Sequence, residues 1–135
     1  MKKYNIFTNE HPDLEIHTDI RGRIADVFFN ATINHVSVIE SVQGAIRGNH
    51  YHKETKQSIL ITKGSLEYWY KAMDDDLPAQ YVVAKEGDVV TSDNNEIHAM
   101  KILEDNTQFI AFTEGVRGGR DYELDTYRIE NSIIA

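Results

Sequence analysis

The sequence predicts an all-β fold, and three observations predict it. Short runs rich in β-branched and aromatic residues recur along the 135-residue chain, cut by glycine, asparagine and aspartate. No segment keeps a 3.6-residue apolar period over three or more turns. The runs repeat at roughly 8–12-residue spacing, which is the rhythm of a sandwich or barrel. The length suits one domain, residues 1–135, around a single core.

The expected strands follow in order. The first, 23–29, begins after the turn Asp19-Ile20-Arg21-Gly22, and the second, 34–40, alternates around His35. The third, 45–52, carries His50 and His52, which are two apart and so project to the same side, roughly 7 Å apart along the strand. Strands 57–62 and 65–71 are joined by Lys63-Gly64. Within the latter, Leu66, Tyr68 and Tyr70 share one face, and Ser65, Glu67 and Trp69 share the other. After the solvated turn Asp74-Asp75-Asp76 come 80–84 and 88–92, separated by Glu86-Gly87-Asp88. The turn Asp93-Asn94-Asn95 leads into 96–103, where His98, Met100 and Ile102 share an inward face; 107–113 is the last strand. The core barrel thus covers about 23–113, with an N-terminal arm and a C-terminal tail packing on it or on a partner subunit. If strands 45–52 and 96–103 are neighbours, three imidazoles converge inside the barrel.

Composition narrows the function. There is no cysteine, so disulfides, thiolate nucleophiles and cysteine metal sites are excluded, and any metal must be held by imidazole and oxygen. The 22 acidic residues outnumber the 14 basic ones, for a formal charge of −8. Nucleic acid and anionic membranes are not expected partners, and an anionic substrate requires arginines gathered against the overall field. No apolar run of signal-peptide length follows Lys2-Lys3, and none approaches the ~18 residues of a membrane span, so a cytoplasmic location is expected.

The segment Gly44, five residues, His50-Tyr51-His52, then Gln57 and Gly64 resembles the first cupin motif, with glutamine standing where glutamate is usual. Gly87 to His98 keeps the spacing of the second cupin motif, with Asp93 and Asn95 replacing its proline and second glycine. The resemblance implies a double-stranded β-helix, the jelly-roll barrel. It also implies a ligand set of His50, His52, Gln57 and His98 for a divalent metal such as zinc, iron, nickel or manganese. The other reading of these residues is a metal-free polar pocket.

The words Arg47-Gly48-Asn49-His50-Tyr51-His52 resemble the sugar-nucleotide branch of the cupins. Ser41, Gly44, Arg47, Gly48 and His50 are similar to a segment of the dTDP-4-dehydrorhamnose 3,5-epimerases, as is the Asp19-Ile20-Arg21-Gly22 turn. Arg47, Gly48, His50, His52, Lys53 and Gln57 match the dTDP-sugar 3,4-ketoisomerases, though those carry tyrosines where this chain has Val36 and Ser37. Gly48-Asn49-His50-Tyr51-His52 resembles the zinc-binding C-terminal cupin of capsular-polysaccharide epimerases.

These likenesses imply an isomerase, an epimerase or ketoisomerase acting on a nucleotide-linked keto sugar in polysaccharide or deoxysugar biosynthesis. The alternatives are a metal-dependent cupin oxygenase or small-sugar isomerase unrelated to nucleotides, and a non-catalytic sugar- or metal-binding cupin. In the metal-free reading His50 and His52 are the acid–base pair. In the metal reading a nearby Tyr68, Tyr70 or His35 is the base. Arg21 and Arg47 are implied as phosphate clamps. Strict alternation puts Arg47 opposite His50, so both can line one pocket only if a bulge forms at Gly48.

The remaining signals read blandly. His35 is expected as a half-buried strand histidine, and His11 and His17 as solvent or oligomer contacts. Trp69 is expected in core or dimer contact. Arg117-Gly118-Gly119-Arg120 reads as a loop or a phosphate-contacting lid. A homodimer is expected, because pairing protects barrel edges.

Overall fold

The β-branched and aromatic runs form twelve strands in the computed structural model, which describes residues 1–8, 10–115 and 123–135; no helix occurs among them. They are β1 (Lys2–Asn5), β2 (Ile16–Asp19), β3 (Gly22–Ala25), β4 (His35–Ser41), β5 (Ile46–Tyr51) and β6 (Lys56–Lys63). The rest are β7 (Ser65–Ala72), β8 (Gln80–Lys85), β9 (Asp88–Ser92), β10 (Glu96–Ile102), β11 (Thr107–Glu114) and β12 (Tyr127–Arg128). One five-stranded sheet has the order β1-β9-β6-β11-β4, and the facing sheet has the order β12-β5-β10-β7-β8. All pairs are antiparallel, and the two sheets form the jelly roll expected from the sequence.

The expected strands from 34 to 113 are all present, most within a residue of their limits. The first differs. The run expected over 23–29 stops at Ala25 and pairs with β2 in a separate two-stranded hairpin rather than joining the barrel. Asp26 holds that hairpin closed: its N–H donates to the Glu15 carbonyl at 2.9 Å and its carboxylate accepts from Glu15 N–H at 3.2 Å. β1 pairs with β9 at the edge of the first sheet.

Inward-facing positions divide the barrel into layers. Ile61, Phe109, Leu66, Ile102 and Ala84 fill one end, and Ile59, Val90, Ala111 and Tyr68 form the next layer, all buried. One further step of two residues along the same strands reaches polar side chains. In the first sheet the register sets Ser92, Gln57, Thr113 and His35 side by side. In the second it sets Tyr70, His98, His50 and Arg128 side by side. A polar belt therefore rests on two apolar layers, and those layers supply the burial that holds it in place.

The bulge required by Arg47 and His50 is present in β5. His50 opposes His98 while Gly48 opposes Ala99, so Asn49 is the extra residue. Gly48 and Asn49 both take positive φ, 85° and 56°. A Cβ on Gly48 would lie 2.8 Å from the His98 carbonyl oxygen and 3.1 Å from the Ala99 Cα, a backbone approach that only glycine permits. Gly48→Ala is therefore expected to destabilise the fold by about 1–3 kcal/mol, read as a lowered urea midpoint. An unchanged midpoint would show that the bulge relaxes at little cost.

Candidate active site

The polar belt opens into a cavity of about 680 Å³ between the sheets. His35, Ser37 and Ile39 of β4, Gln57 and Ile59 of β6 and Phe109 line it from the first sheet. Arg47, Gly48, His50, His98, Met100 and Arg128 line it from the second.

His50, His52 and His98 are all buried, and their candidate ligand atoms lie within 4.8 Å of one another. The ring centroids stand 4.7 Å apart for His50 and His98, 4.9 Å for His50 and His52, and 5.2 Å for His52 and His98. The convergence follows from register, since β5 and β10 are neighbours and His50 pairs with His98. His52 lies just past the end of β5. Its Nδ1 meets the Asp125 carbonyl at 2.7 Å, and a carbonyl can only accept, so Nδ1 carries a proton and the neutral ring keeps its lone pair on Nε2. That arrangement fits a metal-ligating histidine, whose other nitrogen is normally fixed by such a bond. Gln57 lies in the opposite wall of the same cavity and offers a neutral amide oxygen. The donor set of three imidazoles and one amide suits a divalent transition metal.

Asp125 was not legible as a site residue. Besides orienting His52, its carboxylate accepts backbone N–H bonds from Lys53, Glu54 and Thr55 at 3.0, 2.9 and 2.6 Å. Burial alone would push this carboxyl up, but the three donors outweigh it and bring the pKa down to about 2. Arg128 was also missed; it pairs with His50 in register and with the Glu123 carboxylate at 2.7 Å. The only sequence signal for it was the weak alternation of the tail.

The tail packs on its own barrel. Ile129 N–H donates to the Asn49 carbonyl at 3.1 Å, and Ile133 N–H donates to the Asn49 side chain at 3.1 Å. Tyr127 stacks on Tyr51 at 5.3 Å, with the Lys53 ammonium 4.3 Å from the Tyr127 ring centroid.

The other expected residues divide. Arg47 lies at the rim, where its Nε donates to the Ser41 hydroxyl at 2.8 Å and its Nη2 to the Glu40 carbonyl at 3.2 Å. Arg21 lies outside the cavity lining, on the exposed β2–β3 turn, paired with Asp19 at 2.7 Å. Tyr68 is buried in the core with its ring stacked on His98 at 5.9 Å and its hydroxyl bonded to Ser92, and burial pushes the phenol well above its usual range. The Tyr70 hydroxyl donates to Gln80 at 3.1 Å. Neither tyrosine lines the cavity, whereas His35 does. His11 stands edge-on to Tyr4, His17 is exposed on the hairpin, and Trp69 stacks on Tyr81 at 4.6 Å on the outer face. Arg117 and Arg120 fall outside the described residues.

A profile of the polysaccharide biosynthesis C-terminal domain matches residues 17–113. Among solved structures, the chain is similar to the dTDP-4-dehydrorhamnose 3,5-epimerase from Sulfolobus tokodaii, at 19% identity and a TM-score of 0.71, over 89% of this chain and 76% of that one. It is similar to a 3,4-ketoisomerase from Helicobacter canadensis at 16% identity and a TM-score of 0.74, over 95% and 90% of the two chains. It is also similar to the capsular polysaccharide assembling protein CapF from Staphylococcus aureus, at 23% identity and a TM-score of 0.64, over 87% of this chain and 34% of that one, about a third of its length. A search of the curated proteins finds no match. At these identities the structural likeness establishes the cupin fold.

The depressed pKa of Asp125 makes the anchor of the His52 loop pH-dependent. Its contribution, about 2 kcal/mol, is fully present above the unfolded carboxyl's value near pH 4 and is lost as pH falls toward about 2. Asp125→Asn should therefore unfold more easily than the native chain at pH 7, with the gap closing by pH 2. Equal denaturation midpoints at pH 7 would contradict this account.

Proposed function

On the premise that the chain belongs to the polysaccharide biosynthesis C-terminal domain family, whose profile covers residues 17–113, we propose that it is a single-domain cupin isomerase of the cytoplasm acting on a nucleotide-linked keto sugar. The observation that carries the reading is the buried triad of His50, His52 and His98, of which His50 and His98 line a large cavity together with Arg47 and Arg128. The fold relatives are consistent with it: a 3,4-ketoisomerase from Thermoanaerobacterium thermosaccharolyticum is known in complex with TDP, and a 3'-monoepimerase from Streptomyces bikiniensis in complex with dTDP.

The chemistry follows from the substrate class. Carbons beside a sugar carbonyl bear acidic protons, and epimerisation or keto shift requires removing one and returning it elsewhere. His50, His52, His98 and Gln57 would hold a divalent metal ion: zinc, iron, nickel or manganese. When bound, such an ion supplies a positive charge that polarises a carbonyl oxygen. Arg47 offers a planar guanidinium suited to phosphate at the rim, and Arg21 is a further clamp if a partner subunit brings it to the cavity. In a chain of charge −8, these arginines concentrate the cationic field where an anionic substrate enters.

A homodimer suits the surface. β4 is an edge of its sheet, and its outward Val36 and Val38 are exposed together with Phe29 and, on the β2–β3 hairpin, Ile20 and Ile24. Light scattering should return twice the chain mass, and a monomer would contradict the dimer.

The test of function is incubation with dTDP- and UDP-linked 4-keto-6-deoxyhexoses in heavy water, with elemental analysis of the same preparation. Solvent deuterium is expected beside the carbonyl, and a stoichiometric divalent metal is expected in the native protein and absent from His50→Ala. Exchange by metal-free protein would assign His50 and His52 as the acid–base pair. No exchange with any of these sugars would overturn the keto-sugar reading, and oxygen consumption or binding without turnover would assign the alternatives.

A further inference from the structure

The first half of β4 is built with its polarity reversed. Its inward residues include His35 and Ser37, while Val36 and Val38 face outward and are 56% and 61% exposed. A strand selected only to close a barrel would turn its valines inward. The inward pair instead lines the cavity, His35 level with Thr113 and Gln57 and Ser37 level with Ala111 and Ile59. His35 Nδ1 is buried and has no hydrogen-bond partner among the described residues. A buried imidazole nitrogen in that state is costly unless something entering the cavity engages it.

The opposite wall holds the His50–His98 pair and Arg128. A sugar whose carbonyl is turned toward the triad would present the carbon beside it toward β4. The two tyrosines expected as alternative bases are turned elsewhere, since the Tyr68 hydroxyl is bonded to Ser92 and that of Tyr70 to Gln80. Among the cavity-lining residues, His35 is the titratable side chain of the first sheet.

We propose that His35 is a catalytic acid–base residue, working from the wall opposite the histidine triad; the proposal rests on the keto-sugar reading. In the step assigned to it, the C–H bond beside the carbonyl breaks and its electron pair forms the C=C bond of an enolate. The proton passes to a ring nitrogen of His35. The same imidazolium returns the proton, or a deuteron acquired from solvent, to that carbon, or to the former carbonyl carbon, in which case the hydroxyl proton on the first carbon moves to the former carbonyl oxygen as the new carbonyl forms. Nothing is oxidised or reduced, and no further reactant is needed.

The test follows deuterium incorporation into a dTDP-linked 4-keto-6-deoxyhexose by the native protein, His35→Asn and His17→Asn. dTDP affinity, metal content and thermal unfolding are measured on the same samples. His35→Asn should lose at least about 100-fold in exchange rate, the usual contribution of a general base, while dTDP affinity and metal content stay native. His17→Asn, the same change at an exposed histidine of the β2–β3 hairpin outside the cavity, should stay within several-fold of native. Imidazole added to His35→Ala should restore part of the rate, a rescue that marks proton transfer rather than packing. Exchange by His35→Asn within several-fold of native would overturn the assignment. Loss of exchange together with dTDP affinity, unrelieved by imidazole, would also overturn it and leave His35 a structural role. If the native protein exchanges no deuterium at all, the keto-sugar reading itself has failed.

Discussion

One extra residue in β5 governs the site. An unbroken strand would alternate Arg47 and His50 to opposite faces. Gly48 and Asn49 both adopt left-handed backbone and remove one step from the alternation, so the rim guanidinium and the buried imidazole serve one cavity. The bulge also withdraws Asn49 from the ladder with β10, and its carbonyl and side chain are then available to the tail. Both are used, by the N–H groups of Ile129 and Ile133. The tail so fixed carries Asp125 to His52 and Arg128 to the cavity. A local backbone constraint thus fixes three of the cavity's charged or titratable groups at once.

Burying three imidazoles beside one another is unfavourable unless their polar atoms are engaged. The chain meets this with geometry rather than charge. Tyr68 stacks on His98, and the Asp125 carbonyl takes the His52 proton. Beneath them the packed layers of Ile59, Val90, Ala111 and Tyr68 provide a rigid floor. The Asp125 carboxylate is turned away onto the backbone of residues 53–55. Net acidity therefore stays on the outside, while the described cavity is neutral or cationic.

Much of this was legible in the sequence because β structure writes its geometry in steps of two. The faces of β7, the inward set of His98, Met100 and Ile102, and the need for a bulge at Gly48 all follow from alternation. What alternation cannot give is which strand lies beside which. The run beginning at Arg23 has the polarity of a barrel strand, yet Asp26 bonds back to Glu15 and closes a hairpin instead. Asp125 and Arg128 were hidden for the same reason, since the partners of Asp125 lie 70 or more residues away, Arg128 meets His50 only across the sheet, and a two-residue strand carries almost no pattern. His35 was read correctly as a half-buried strand histidine. The reversed polarity around it, with two valines outside, is the signal that separates a cavity wall from a core.

The tautomer of His52 bears on both forms of the chemistry. If the triad holds a metal, the ligand must be a nitrogen with a lone pair. If the triad transfers protons, the base must equally be a nitrogen with a lone pair. The bond from Nδ1–H to the Asp125 carbonyl meets either demand by leaving that lone pair on Nε2. The carbonyl itself cannot wander, because the carboxylate of the same residue is tied to three successive N–H groups of the loop that follows His52. The two roles differ in what they ask of the opposite wall. A metal centre withdraws His50 and His52 from acid–base work and leaves the proton to a group that is not a ligand. Gln57, a neutral amide, cannot take it, and the tyrosine hydroxyls are bonded elsewhere. The stronger the case for the triad as a ligand set, the more the chemistry depends on what β4 turns inward.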